Sequence, residues 1–210
     1  MKITDITPQK DNDRVNIFID GNFAFGLSIE IAYKYNLEID MEIDKNYIDD
    51  VLKVEEQNKA NNYAIKLLSY RWRSEKEIRD KMNEKDYEVD VIDTTINYLY
   101  DQNLLNDKRF AETFVRDKIN FNKWGSYRIK QELYMKGISN NIIDEILEEY
   151  CDSEYDMAMT LANKKISSYK NDDRNSVYRK LGGFLQRRGY SMDTIIKVLN
   201  EIFKTWLNIY

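Results

Sequence analysis

The chain has 210 residues, of which 42% are hydrophobic and 33% are charged, and its formal net charge is −5. This composition is typical of a helix-rich globular protein with enough apolar material for one or two cores. The absence of histidine excludes Ser-His-Asp and Cys-His catalysis, and the single cysteine excludes thiolate metal clusters and an internal disulfide. Chemistry by carboxylates alone stays open, but these absences favour a protein with no enzymatic activity, no metal and no cofactor.

The distribution of charge along the chain is uneven. Residues 1–60 carry 7 Lys/Arg and 13 Asp/Glu, whereas residues 61–210 carry 25 and 24. The acidity therefore belongs to the N-terminal quarter and leaves room for basic clusters further on. No apolar run has the length that spans a bilayer, and the first residues lack the apolar core of a signal peptide. The sequence thus predicts a cytoplasmic protein that makes no membrane contact.

The first elements along the chain are predicted strands. Apolar residues alternate over residues 15–19 and again over 23–27, and Asp20-Gly21 between them is a two-residue hairpin signal. Ile3 and Ile6 fit a third strand. We expect a small antiparallel sheet over about residues 2–28.

Two helices are predicted after the sheet. Ser28 can cap a short helix through about Tyr35, and a second helix is expected from about Asp44 to about Gln57. The acidic runs Asp49-Asp50 and Glu55-Glu56 lack the spacing and the glycine turn of a calcium loop, so we interpret them as solvated helix faces.

From about residue 58 onward the pattern is helical, and it repeats. Three segments spaced 47 residues apart carry apolar residues at i, i+1, i+4 and i+5, with a basic residue one turn later. The three sets are Tyr63-Ala64-Leu67-Leu68-Arg71, Phe110-Ala111-Phe114-Val115-Lys118 and Met157-Ala158-Leu161-Ala162-Lys165. Two further helical patterns follow each set at steps of 51 and 52 residues, so the repeated unit has three helices.

Helix-capping residues mark the ends of the repeated helices. Ser74–Glu77 forms a capping box, and Gly137 and Gly189 stand where a helix C-terminus needs a left-handed residue. Asp86 occupies the same place in the first repeat. The predicted N-caps of the third helices are Ser139 and Ser191.

These patterns predict four segments. Residues 1–57 form an N-terminal β-hairpin with short helices, and the three-helix repeats are 58–105, 106–151 and 152–210. Repeats of this length stack end to end, so we predict a mainly α protein with three tandem three-helix repeats in an elongated curved array, preceded by the hairpin segment. We expect a monomer.

Several strings of this sequence resemble the RecX family, regulators of the bacterial recombinase RecA. They are VNIFIDGNFAFGLS at 15–28, AIKLLSYRWRSEKEIRDKM at 64–82, LLNDKRFAETFVRDKI at 104–119 and GSYRIKQELYMKGI at 125–138. The resemblance implies a non-catalytic helical clamp that binds the RecA nucleoprotein filament and inhibits recombinase activity. It also implies a place in DNA repair, homologous recombination and the SOS response. Some members of the family contact DNA, but the acidic net charge of this chain weakens that part of the resemblance.

Basic residues in the repeats are the candidates for partner binding. Residues 123–136 carry a net charge of +3, and residues 174–188 carry +5 with no acidic residue. A stripe of such helices fits the acidic groove of a protein filament or a phosphate backbone, and the alternative is a solvated face with intrahelical ion pairs. The candidate contact residues are Arg71, Arg73, Lys123, Trp124, Arg128, Lys130, Lys136, Arg179, Lys180, Arg187 and Arg188.

Two tryptophans and two tyrosines have two possible roles. Trp72 and Trp124 lie between the first and second helices of their repeats, where they cap the local cores or anchor a partner. Tyr127 and Tyr178 raise the same question. If the partner is DNA alone, the three-helix units would act in the manner of helix-turn-helix modules, and the chain would be a direct binder of single- or double-stranded DNA.

Overall fold

The computed structural model describes residues 1–10 and 13–206, except for the side chains of residues 151, 152, 205 and 206. The chain divides into two compact units. One contains residues 1–71 and 78–105, and the other contains residues 72–77 and the residues from 106 onward.

The first compact unit contains the sheet and four of the helical elements. Its strands are β1 (Ile3–Pro8), β2 (Arg14–Ile19) and β3 (Asn22–Ser28). Its helices are α1 (Ile29–Lys34), α2 (Lys45–Tyr70), α3 (Glu75–Asn83, of which the first three residues belong to the second unit) and α4 (Val89–Asp101).

The second compact unit is helical throughout its described part. Its helices are α5 (Asp107–Asp117), α6 (Ser126–Met135), α7 (Asn140–Ile166), α8 (Arg174–Arg188) and α9 (Met192–Trp206). A π-helical turn over Lys118–Asn122 follows α5, and a 3₁₀ turn over Ser167–Tyr169 follows α7.

The sheet is three-stranded and antiparallel in the order β1-β2-β3, as predicted. The hairpin turn at Asp20-Gly21 has φ of 48° and 83°, which two-residue hairpins require and which aspartate and glycine tolerate best. Ile3, Ile17 and Leu27 are fully buried and pack against α1 and the first half of α2. The alternation of apolar residues therefore fixes which face of the sheet is buried.

The N-caps of α1 and α2 confirm two predictions, but the predicted end of α2 is wrong. The amide of Ile31 donates to the Ser28 hydroxyl at 3.2 Å, and the amide of Tyr47 donates to the Asp44 carboxylate at 2.8 Å. α2 continues past Gln57 to Tyr70, because residues 58–70 contain no helix breaker and supply buried alanines to the next core.

Glu55 corrects the interpretation of the acidic runs. Its side chain is buried, whereas Asp49, Asp50 and Glu56 are exposed as predicted. The Glu55 carboxylate accepts the amide of Ser28 at 3.0 Å and pairs with an arginine of β2, Arg14, at 2.8 Å. A buried carboxylate needs such partners, and they lie 27 and 41 residues away along the chain.

Three three-helix domains follow the sheet, and each has its own core. The buried core residues named by the repeat include Ala64, Ile78 and Met82 in the first domain, Phe110, Ile129 and Leu133 in the second, and Ala158, Leu181 and Leu185 in the third. The prediction of a mainly α protein with three three-helix repeats after a small sheet is therefore confirmed.

The helix ends agree with most of the predicted caps. Asp86, Gly137 and Gly189 have φ of 59°, 82° and 85°, so all three adopt the left-handed conformation. The Ser191 hydroxyl accepts the amide of Thr194 at 3.2 Å, which confirms that cap. Ser139 stands at the N-cap position of α7 but makes no side-chain capping bond, so that prediction holds for the position alone.

Candidate partner-binding surface

The second and third three-helix domains meet where the end of α8 contacts the start of α6. The Gly125 amide donates to the carbonyl of Arg188 at 2.9 Å, and the Arg128 amide donates to the carbonyl of Gly189 at 3.4 Å. A Cβ on Gly189 would overlap that of Arg128, and a Cβ on Gly125 would overlap the Gly189 peptide. Both glycines therefore allow a backbone approach that other residues would prevent.

A buried carboxylate on α7 joins the same two domains. Glu154 accepts the backbone amides of Ser126 at 3.3 Å and Ser191 at 3.4 Å, and it accepts the Ser126 hydroxyl at 2.9 Å. These amides belong to the first turn of α6 and the residue before α9, where helices carry unsatisfied donors and a partial positive charge. The pKa of Tyr190 is raised to about 12, mainly because the phenol is buried and to a smaller extent because the negative charge of Glu154 is nearby.

The same arrangement recurs one repeat earlier in the chain. Asp107, which precedes Glu154 by 47 residues, accepts the amide of Glu75 at 2.8 Å at the start of α3. Burial raises the pKa of the Asp107 carboxyl, and the Glu75 charge adds to that rise while the Glu75 amide opposes it. An acidic residue near the start of one repeat thus caps the middle helix of the repeat before it.

Several predicted contact residues come together at the junction of α6 and α8. Trp124 is half-buried against the second domain's core, and the Arg128 guanidinium lies 4.0 Å above its ring. Arg128 donates to the carbonyl of Arg187 at 3.3 Å, and Arg188 donates to the carbonyl of Asn122 at 2.5 Å. The guanidinium groups of Arg128 and Arg188 therefore hold this junction together as well as carrying charge.

The two tryptophans pack against the same core. Trp72 is half-buried on the core of the second domain rather than on that of its own repeat, with the Arg109 guanidinium 4.5 Å from its ring. The expectation that Trp72 caps the core of the first repeat is therefore wrong, while Trp124 packs where the sequence placed it.

Several of the predicted cations are ion-paired within the chain. They include Lys130 with Asp144 at 2.5 Å, Lys136 with Glu77 at 2.7 Å and Lys180 with Asp172 at 2.7 Å. The charge available to a partner is therefore smaller than the local sequence counts suggest.

The remaining predicted cations differ in exposure. Arg71, Lys123 and Arg179 are exposed, and Arg73 is half-buried. Arg187 is also exposed. Neither Arg179 nor Arg187 forms an ion pair with any residue that the structure describes.

The outer face of α6 exposes large side chains that the charge pattern did not single out. Tyr134 is 67% exposed, Met135 is 59% exposed and Tyr127 is 60% exposed. A cavity of about 450 Å³ lies along this face, lined by these side chains with Lys130, Gln131 and Asn140. In the helical period, these positions lie off the face formed by the buried Ile129 and Leu133. This placement is the sequence signal that could have identified Tyr134 and Met135 as exposed.

Membrane-spanning helices and metal-ligand clusters are both absent from the part of the chain that the structure describes. Within residues 1–10 and 13–206, no helix combines the length and apolar character needed to cross a bilayer. Among the side chains that the structure describes, no three or more Asp or Glu residues are arranged to hold a metal ion.

Comparison with known protein families gives four consecutive matches. Residues 1–44 match the family described as Regulatory protein RecX N-terminal domain. Residues 60–99, 106–147 and 152–199 match the first, second and third three-helix domains of RecX.

Curated relatives and solved structures cover nearly the whole chain. Regulatory protein RecX of Clostridioides difficile (strain 630) is 37% identical over 202 residues, which is 95% of each chain. Regulatory protein RecX of Clostridium perfringens (strain 13 / Type A) is 35% identical over 205 residues, or 96% of each. A crystal structure of regulatory protein RecX superposes with a TM-score of 0.78 at 28% identity, covering 95% of this chain and 98% of the other. The structure of RecX from Lactobacillus salivarius gives a TM-score of 0.66 at 35% identity, covering 70% and 97%.

Proposed function

Because the chain belongs to the RecX family of regulatory proteins, we propose that it is a non-enzymatic regulator that binds the RecA nucleoprotein filament and inhibits recombinase activity. Such a role belongs to DNA repair and homologous recombination in the cytoplasm, and we expect the protein to act as a monomer.

The outer face of α6 is the observation that carries this proposal. It presents Tyr127, Tyr134 and Met135 around a cavity of about 450 Å³. Contiguous exposed apolar side chains mark protein interaction sites, and tyrosine and methionine are enriched in the centres of interfaces. The basic residue Arg128 lies on the same helix, and its positive charge suits an acidic partner surface.

The test is the DNA-dependent ATPase of RecA on single-stranded DNA, with this protein added in increasing amounts. We expect the ATPase rate to fall at protein concentrations below that of RecA, because a filament regulator can act on many subunits from one site. Met135→Ala should weaken the effect about ten-fold if the face of α6 is a central contact. Met192→Ala is the matched control, because Met192 is 58% exposed on α9 and Met135 is 59% exposed.

Direct DNA binding is the second candidate function, and a specific feature of α8 favours it. Residues 174–188 carry a net charge of +5, and Arg179 and Arg187 form no ion pair with a described residue. Binding to bare DNA that is tight and falls steeply with salt would support this function, since released counterions dominate such binding. An unchanged RecA ATPase together with that binding would overturn the filament proposal.

A further inference from the structure

Phe121 is an exposed aromatic residue that neither the repeat nor the charge pattern explains. Its side chain is 82% exposed at the π-helical turn that follows α5. A single exposed apolar residue is common on protein surfaces. The backbone that carries Phe121 is not common, because π-helical turns are rare and occur frequently at functional sites.

The turn that carries Phe121 is held by hydrogen bonds at its C-terminal end. The amide of Trp124 donates to the carbonyl of Lys118 at 3.2 Å, which closes the turn. Lys123 follows with φ of 54°, a left-handed conformation that lysine rarely adopts.

Two residues of the third domain hold the same segment from outside. The guanidinium of Arg188 donates to the carbonyl of Asn122 at 2.5 Å, and the hydroxyl of Tyr190 donates to the carbonyl of Lys123 at 3.3 Å. The backbone of the turn is therefore pre-organised, and little backbone conformational entropy remains to be lost when Phe121 meets a partner.

The surroundings of the turn combine positive charge with an apolar hollow. Arg116, Lys118 and Lys123 stand against the single carboxylate of Asp117, so residues 116–123 carry a net charge of +2. A cavity of about 230 Å³ adjoins the end of the turn and is lined in part by Lys123, Lys164, Met157 and Leu161.

We infer that Phe121 is an anchor residue that inserts into an apolar pocket, rimmed by carboxylates, on a protein partner. The inference rests on the proposed function, in which that partner is the RecA filament. The hollow beside Lys123 receives an apolar side chain of the partner, and the lysines meet its carboxylates. Met157 and Leu161 line the hollow, and an apolar side chain can fill such a lining whereas a phosphate backbone cannot, so the surface fits a protein better than a nucleic acid.

Arg188 and Tyr190 act as positioning residues in this arrangement. Each contacts a backbone carbonyl of the segment and fixes the direction in which Phe121 projects. Truncation of Arg188 should therefore weaken partner binding when Phe121 is present and should have little further effect when Phe121 is already replaced. A purely structural role of Arg188 would lower stability without this dependence on Phe121.

The experiment measures binding of four forms of the full chain to RecA filaments on single-stranded DNA and, separately, to the bare oligonucleotide. The forms are the wild type, Phe121→Ala, Phe121→Trp and Tyr33→Ala, the last being the control because Tyr33 is 83% exposed in the first compact unit. We expect filament affinity to fall by about ten-fold or more for Phe121→Ala and to stay within about two-fold for Tyr33→Ala. Phe121→Trp should retain most of the affinity, because an aromatic anchor remains.

Each outcome decides a different point. If the wild type fails to bind the filament, the proposed function is overturned and the inference falls with it. If the wild type binds and Phe121→Ala matches Tyr33→Ala, only the anchor inference is overturned. Loss of affinity for the bare oligonucleotide, with filament binding unchanged, would also overturn the inference, because it would make Phe121 a base-stacking residue.

Discussion

The buried carboxylate of Glu154 gives a direct test of how the second and third domains are joined. Glu154→Gln keeps the size of the side chain and removes its charge. In the wild type, Glu154 is 8% exposed, and its two oxygens accept the backbone amides of Ser126 and Ser191 together with the Ser126 hydroxyl. Glutamine has one oxygen and one NH₂ group, so it cannot accept all three bonds.

The expected loss of stability has two parts. A negative charge near a helix N-terminus is worth about 0.3–1 kcal/mol, and Glu154 serves the N-termini of α6 and α9. The glutamine oxygen can still accept both amides, and its NH₂ group can donate to the Ser126 hydroxyl, which then accepts instead of donating. Neutral hydrogen bonds at this buried site replace charge-assisted ones, at a further cost of about 1 kcal/mol. We therefore expect Glu154→Gln to lower the free energy of unfolding by about 2 kcal/mol.

Urea unfolding followed by tryptophan fluorescence measures this loss, because Trp72 and Trp124 both lie in the second compact unit. Glu148→Gln is the matched control, since Glu148 is exposed on the same helix and should change stability by less than about 0.5 kcal/mol. Hydrogen exchange at the amides of Ser126 and Ser191 should accelerate in Glu154→Gln. If Glu154→Gln and Glu148→Gln unfold at the same urea concentration, Glu154 does not join the two domains energetically.

Two further changes test the junction and its pH dependence. Gly189 has a φ of 85° and lies against the Arg128 Cβ, so Gly189→Ala should lower the free energy of unfolding in urea by about 2 kcal/mol. Gly183→Ala inside α8 is the control and should raise the free energy of unfolding by up to about 1 kcal/mol. Equal unfolding midpoints for the two variants would refute the argument that Gly189 permits a close backbone approach. The pKa of Tyr190 is raised to about 12, so the folded state favours the neutral phenol, and the resulting stability is present below about pH 10 and lost toward pH 12. Unfolding of wild type and Tyr190→Phe at pH 9 and about pH 11.5 should therefore show a loss that is larger in the wild type by up to about 2 kcal/mol. Both proteins lose some stability, because burial also raises the pKa values of Tyr47 and Tyr87, and equal losses would contradict the assignment.

The features that sequence predicted well are those set by neighbouring residues. The Asp20-Gly21 turn, the Ser28 cap and the left-handed Gly137 and Gly189 each depend on residues within one or two turns. The repeat adds a second source of information, because a buried position in one domain identifies its equivalents in the others. Asp86 shows the strength of this argument, since it adopts φ of 59° where the other domains have glycine.

The features that sequence missed depend on partners far apart in the chain. Lys136 pairs with Glu77, 59 residues away, so counting charges within one helix overestimates the charge that a partner meets. Glu55 is buried because Arg14 and Ser28 reach it from the sheet, and no local pattern encodes that contact. Which polar side chains pair across domains depends on how the domains pack. The periodicity of the sequence predicts which faces are apolar, but it does not predict the partner of an individual polar residue.

Arg188 shows why the second and third repeats of this chain must be considered together rather than as separate units. The local charge of α8 marks it as a contact residue, yet its guanidinium reaches the carbonyl of Asn122 in the second domain. The surface that presents Phe121 is therefore built by residues of two domains, and Glu154 fixes the helix ends on both sides of that junction. A substitution in the third domain can thus change the surface of the second domain that presents Phe121. This is a form of dependence that tandem repeats create whenever one repeat caps the helices of another.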